Sequence, residues 1–250
     1  MEKEKIKSAI KAGLAITVII LAIVMCITII MEYNESGEKN MPFELSKITI
    51  VSTAEGMEDK NNNEANSTWK FNIIQNNDIY FNISKNESYK KEEVIKNVKI
   101  SNINIIEQPS IGNIKAYMPN SLEGRRFVYS NDYLMENELN YRGASKSNEK
   151  NLEIANQGGS FSFSLCNTEI GKYESNSETE INHNASLIQK MGKTEEDLKF
   201  KVSFDLTIEL EKKKYKTTIE LELPCENMVT EGKATKVINN NSQFVFKRLN

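Results

Sequence analysis

The sequence predicts a mainly β protein: a single N-terminal transmembrane helix followed by an extracytoplasmic antiparallel β-sandwich, immunoglobulin-like or jelly-roll-like, with one or two short helices. Three observations carry this. Ala12 to Met31 is an unbroken uncharged run, AGLAITVIILAIVMCITIIM. Three later segments alternate apolar and polar residues with a period of two. Prolines are few and asparagine-rich turns frequent, so many short strands can pair without interruption.

The apolar run comes first. Twenty residues rising about 1.5 Å each reach roughly the 30 Å of a bilayer's hydrocarbon core. Its β-branched residues are poor helix formers in water, but in lipid only internal hydrogen bonds satisfy the backbone. Lys3, Lys5, Lys7 and Lys11 precede the run, whereas Glu32, Glu35 and Glu38 follow it before Lys39. Basic flanks stay in the cytoplasm, so residues 1–11 are placed inside and the rest of the chain outside.

Processing signals fit this segment poorly. A secretory signal has a shorter apolar core ending at a small-x-small site, and Thr28-Ile29-Ile30-Met31-Glu32-Tyr33 offers none. A lipoprotein signal needs a small residue before its cysteine, but Met25 precedes Cys26. A type IV pilin-like start needs glutamate at the fifth position after a glycine, where Val18 follows Gly13. The expectation is an uncleaved signal anchor over residues 12–31.

The alternating segments define the sandwich. Phe161, Phe163 and Leu165 alternate with Ser160, Ser162 and Ser164. Val202, Phe204, Leu206, Ile208 and Leu210 alternate with polar residues, as do Tyr215, Thr217, Ile219, Leu221 and Leu223. A period of two gathers the apolar side chains on one face and leaves the polar set to water. Glu211-Lys212-Lys213-Lys214 joins the last two runs as a long hairpin. Earlier strands are expected around Ile48–Ile50, Trp69–Ile73 and Ile79–Ile83, the last two separated by a turn at Asn76-Asn77-Asp78. Val98 and Ile100 run on to Ile103 and Ile105 with a change of parity, which predicts a bulge near Ser101–Asn102. Further strands are expected at 114–118, 127–129 and 152–154, and a final one at Phe244 and Phe246. Asn184 is placed to cap a short helix that stops at Gly192, and Thr194 begins another.

These readings divide the chain into a cytoplasmic N-terminus (1–11), the anchor (12–31), a polar stalk (32–41) and a sandwich (42–250). Two smaller β units dividing near residue 120 are the alternative. Gly56–Asn66 and residues 226–241 read as loops, being too polar to bury.

Composition and motifs exclude several functions. The chain carries a net −3, and its first 31 residues contribute four lysines and two glutamates, leaving the remainder near −5. A nucleic-acid partner is not expected of such a surface. His183 is the only histidine, which removes multi-histidine metal sites; Glu178 and Glu180 beside it read as a solvated segment. No G-x-S-x-G elbow or phosphate loop occurs, and neither cofactor nor metal is expected. Several N-x-S/T acceptor patterns are present, as chance provides in an asparagine-rich chain.

Candidate site residues remain. Cys166 and Cys225 are the two cysteines outside the apolar run; they either close a disulfide across about 60 residues or serve as small buried side chains. The segment YMPNSLEGRRFVYSNDY concentrates Tyr117, Arg125, Arg126, Tyr129 and Tyr133, residue types that interfaces favour, unless it is simply a connecting loop. Trp69 belongs to a core strand or forms a platform for a sugar ring. The function expected is a single-pass, membrane-anchored module that binds an envelope protein or glycan without catalysis. A tethered glycan hydrolase using paired carboxylates and a bitopic subunit of a secretion or division assembly are the alternatives. Nothing in the sequence bears on oligomeric state.

Overall fold

Helix α1, Glu2–Ser36, projects from the body with its apolar side chains exposed. In this computed structural model the structure describes residues 2–58, 69–120, 126–143, 152–175, 184–239 and 244–249. The stretch Gly13–Ser36 is long and apolar enough to cross a membrane, and none of it is buried against the rest of the chain. A helix that is apolar all round and packs on nothing of its own belongs in lipid or against a partner. The segment 32–41 is helical as far as Ser36, and the chain then turns back onto the body. Gly37, Met41 and Pro42 are buried, and the Glu38 amide donates to the Phe246 carbonyl at 2.8 Å.

Two sheets pack face to face. Sheet A has the order β12-β1-β2-β9-β4, from Lys233–Asn239, Phe43–Glu58, Trp69–Lys85, Gly159–Ser175 and Asn113–Tyr117. Sheet B has the order β13-β11-β10-β3-β7-β8, from Lys247–Leu249, Lys214–Leu223, Phe200–Glu209, Asn97–Glu107, Glu138–Gly143 and Glu153–Ile154. All pairings are antiparallel except β7 with β8. A third, two-residue pair joins β5 (Pro119–Asn120) to β6 (Arg126–Phe127). Strands from either side of residue 120 interleave in both sheets, and the largest buried cluster lies between those sheets.

The alternation explains that core. Ile48, Ile50, Ile79, Phe81, Phe161, Phe163 and Leu165 point inward from sheet A, opposite Val98, Ile100, Val202, Phe204, Leu206 and Ile219 of sheet B. Phe81 stacks on Phe161 at 4.8 Å, and Phe204 meets Phe163 edge-on at 5.1 Å. Each such ring gives about 1.5–3 kcal/mol on burial. The predicted hairpin forms in the expected register, with Phe204 opposite Ile219 and Ile208 opposite Tyr215. The predicted bulge also forms: Asn102 has φ 54, and the β3–β10 register slips between Ser203 and Asp205. Strands β1, β2 and β9 outrun sheet B. Short helices α2 (Asn184–Lys190), α3 (Glu195–Leu198) and α4 (Met228–Glu231) cover their overhang, where Ala54, Phe71, Ile73 and Ile170 pack on Leu187, Ile188, Leu198, Met228 and Val229.

Several sequence expectations change. Asn76-Asn77-Asp78 is not a turn but the middle of the 17-residue β2. Its turn-forming residues stay in a strand because tertiary partners satisfy them: Asn77 Nδ2 donates to the Leu165 carbonyl and to Gln75 Oε1, and Asn77 Oδ1 accepts from Ser52 Oγ at 2.7 Å. Ser162 and Ser164, expected in water, are buried under a crossing segment. Residues 226–241 are not all loop, since they supply α4 and β12, an edge strand with too few apolar side chains to signal itself. Phe244 and Phe246 precede the last strand, and Phe246 is buried as a core plug. The Gly56–Asn66 segment lies in β1 up to Glu58, and its remainder is outside the described residues.

Candidate functional site

The outward face of sheet A carries the densest polar chemistry. Period-two geometry places Val51, Thr53 and Glu55 of β1, Ile74, Asn76, Asp78 and Tyr80 of β2, and Ser162, Ser164 and Cys166 of β9 on that face. From the edge strand β4, Lys115 lies opposite Cys166 and Tyr117 opposite Ser164. Residues beyond β4 fold back as a cover. Met118 and Met135 bond to the Tyr133 and Ala116 carbonyls, Tyr117 bridges Leu134, and a 3-10 turn spans Asn131–Tyr133.

Four of the sequence-predicted residues, three tyrosines and Cys166, therefore meet. Tyr117 and Tyr129 pack edge-on, 5.3 Å between ring centres, and Tyr133 packs against the same cluster with Ile74 and Cys166. Tyr117 is only 4% exposed. The Tyr129 hydroxyl donates to Asp78 Oδ1 at 3.0 Å, and Ser164 Oγ donates to the same oxygen at 2.7 Å. This segment turns its tyrosines inward, onto a half-buried acid. Arg125 lies outside the described residues; Arg126 pairs through its backbone with Asn120, and Trp69 with Ser175 at the far end of β2, their side chains also being outside the described set. His183, Glu178 and Glu180 lie outside it too.

The two cysteines are separate free thiols. Cys166 lies under the tyrosines on the outward face. Cys225 belongs to the inter-sheet core, where its amide donates to Ser52 Oγ at 2.9 Å. Sheet A stands between them.

Sequence reading missed Glu55, Asn76 and Asp78. Ile73 and Ile79 share a parity, but the polar Gln75 and Asn77 between them gave no local sign of a continuous strand, so nothing in the sequence placed Asn76 and Asp78 on its other face. Burial raises Asp78 above the usual carboxylate range, opposed by hydrogen bonds from Ser164, Tyr129 and Tyr80. Glu55 is raised by desolvation, eased by the Asn76 amide and reinforced by the Asp78 charge, although its residue surface remains exposed. Asn76 is fully buried beside them, and neither side-chain atom closes a hydrogen bond of full geometry. Desolvation, then the charges of Glu55 and Asp78, push the Cys166 thiol far up, with Lys115 opposing. Such a thiol stays protonated and is a poor nucleophile.

Among the described residues, further clefts lie elsewhere. One of about 370 Å³ opens between the sheets at Asn102, Ile105, Ile114 and Met135. One of about 510 Å³ lies where α1 meets the body, lined by Glu35, Met41, Phe43 and Phe244. The third, of about 460 Å³, contains Lys90, Lys91, Lys213 and Arg248. Among the described residues no group of three or more His, Cys, Asp or Glu side chains is arranged to hold a metal ion. The chain matches no family model, no curated protein and no solved structure.

Proposed function

We propose that the protein is a single-pass membrane protein, N-terminus in the cytoplasm, whose sandwich is a non-catalytic binding module of the cell envelope. The observation that carries this is the exposed apolar helix joined directly to the sandwich. The Arg248 amide donates to the Tyr33 hydroxyl at 2.9 Å, and Gly37 bonds back to the Tyr33 carbonyl. A tyrosine just beyond the apolar run suits the membrane interface, where its ring and hydroxyl face different media. The non-catalytic part is supported by the outward face of sheet A, whose acid is sequestered by hydroxyls and whose thiol is protonated. The described parts of the segment over that face, 117–120 and 126–133, are the contact surface in this reading.

The test is made on intact cells and on the purified full chain. Expected are retention in the membrane after carbonate extraction, cleavage of the sandwich by protease added outside, and no release of fragments from cell-wall glycan. Glycan cleavage that is lost in Glu55→Gln or Asp78→Asn would replace the binding reading with the hydrolase. Protease resistance in intact cells with digestion after lysis would reverse the orientation.

A further inference from the structure

We propose that the cleft around Lys90, Lys91, Lys213 and Arg248 binds the phosphate headgroup of an anionic lipid in the membrane that α1 crosses. This rests on reading α1 as a membrane span. The cleft holds four cationic side chains against one carboxylate, Glu38, among the described residues. Lys90, Lys91 and Arg248 are exposed and make no ion pair among the described residues, whereas Lys213 is turned to Glu93 and the Tyr89 hydroxyl. Asn86 and Ser88 add polar groups to the wall. An arginine guanidinium and paired ammonium groups in one hollow match the geometry of a phosphate monoanion.

Height above the membrane selects the lipid as its source. The apolar run ends at Met31, and Tyr33 lies about 3 Å further along the helix. The headgroup region adds roughly 5–8 Å to each side of the hydrocarbon. The Arg248 amide is bonded to the Tyr33 hydroxyl, and the neighbouring Lys247 ammonium donates to Asn34 Oδ1 at 3.4 Å. Strand β13 is thereby tied to the helix at headgroup depth. Glu38, which lines the cleft, follows two residues after the helix ends. Lys39, next to it, is paired with Glu32 and so does not add to the unpaired charge. The other cations come from the turn after β2 and the β10–β11 hairpin, both at this end of the sandwich. Tyr215 lines the same cleft.

The experiment places the full chain in vesicles of phosphatidylcholine alone or with phosphatidylglycerol and follows lysine acetylation by mass spectrometry. Lys90 and Lys91 are expected to react about fivefold more slowly in the anionic vesicles, an effect reversed by high salt. Lys236, exposed on β12, serves as the distant control, and soluble glycerol phosphate at millimolar concentration is expected to give no protection. The Arg248→Gln chain is expected to lose most of the protection while Lys236 reacts as before. Equal rates in the two vesicle types, with the chain inserted in both, overturn the headgroup site and leave the anchor standing. Protection by soluble glycerol phosphate overturns the lipid as source in favour of a free phosphate ester. A chain extracted by carbonate from both vesicle types overturns the anchor and this site with it.

Discussion

Asp78 and Asp205 occupy equivalent places on the outward faces of the two sheets, yet their acidities move in opposite directions. Asp78 is met by the hydroxyls of Tyr129, Ser164 and Tyr80, and desolvation wins, raising it. Asp205 is also pushed up by desolvation. Hydrogen bonds from Thr218 (2.6 Å), Asn102 (2.7 Å) and Lys216 (3.1 Å), with the Lys216 charge, overcome that and leave it lowered. Both carboxylates are well hydrogen-bonded. At Asp78 three hydroxyl donors do not offset the lost solvation, whereas at Asp205 the bonds from Thr218 and Asn102 are joined by the Lys216 ammonium, which adds both a bond and a charge. The face of sheet A therefore keeps an acid raised above the usual carboxylate range, while the face of sheet B keeps an ion pair between Asp205 and Lys216.

Substitution at the two aspartates gives the largest separation. Asp205→Ala strands three donors and should cost about 2–3 kcal/mol at pH 7, or a melting shift of roughly 4–12 °C. Asp78→Asn keeps an acceptor for the hydroxyls and removes a poorly solvated charge, so it should cost less than about 1 kcal/mol. Equal losses in denaturant unfolding of the two variants would break the comparison.

The pH dependence follows next in size, with opposite signs. Asp78 is raised from 3.8, so its stabilising contribution is complete below that value and is lost as pH rises through the raised folded value. Asp205 is lowered from 3.8, so its contribution is present above that value and is lost as pH falls through the lowered folded value. Relative to Asp78→Asn, the natural chain should gain stability on acidification from pH 7 to 4. Relative to Asp205→Asn, it should lose its advantage below pH 4.

Two smaller tests sharpen the cause. Val51 lies opposite Asp78 on β1, so Val51→Lys brings a cation to the acid and should pull its titration down toward the behaviour of Asp205. Tyr129→Phe removes one donor, should cost about 1 kcal/mol, and should move Asp78 further up; carboxyl NMR titration reads both shifts. The least demanding measurement is thiol alkylation at pH 8. Cys166, buried and held protonated, should react at least about tenfold more slowly in the folded chain than in denaturant.

The inward faces were legible in the sequence because burial writes itself as alternation: Phe161-x-Phe163-x-Leu165 and the 202–223 hairpin named their own core positions. The candidate site was not, and Asn76-Asn77-Asp78 shows why. Locally these residues favour a turn; across the sheet, Ser52, Leu165 and Ser164 supply the partners that hold them in a strand. Those partners are 25 to 88 residues away, beyond the reach of any local pattern. Tyr117, Tyr129 and Tyr133 were visible as a cluster of interface-type residues, but not the direction in which they point.

The sequence by itself determined the long apolar run, the β class, the inward faces and the bulge at Asn102, because each is encoded by neighbours at one or two residues' spacing or by an uninterrupted length. Tertiary structure alone decided that the polar face of sheet A is covered, that Cys166 and Cys225 lie on either side of that sheet, and that Asp78 and Asp205 titrate in opposite directions. It also decided that β13 meets the end of α1, carrying Arg248 beside Tyr33. Those properties depend on which distant groups face one another across a strand register, and solvation and charge pairing act through space rather than along the chain.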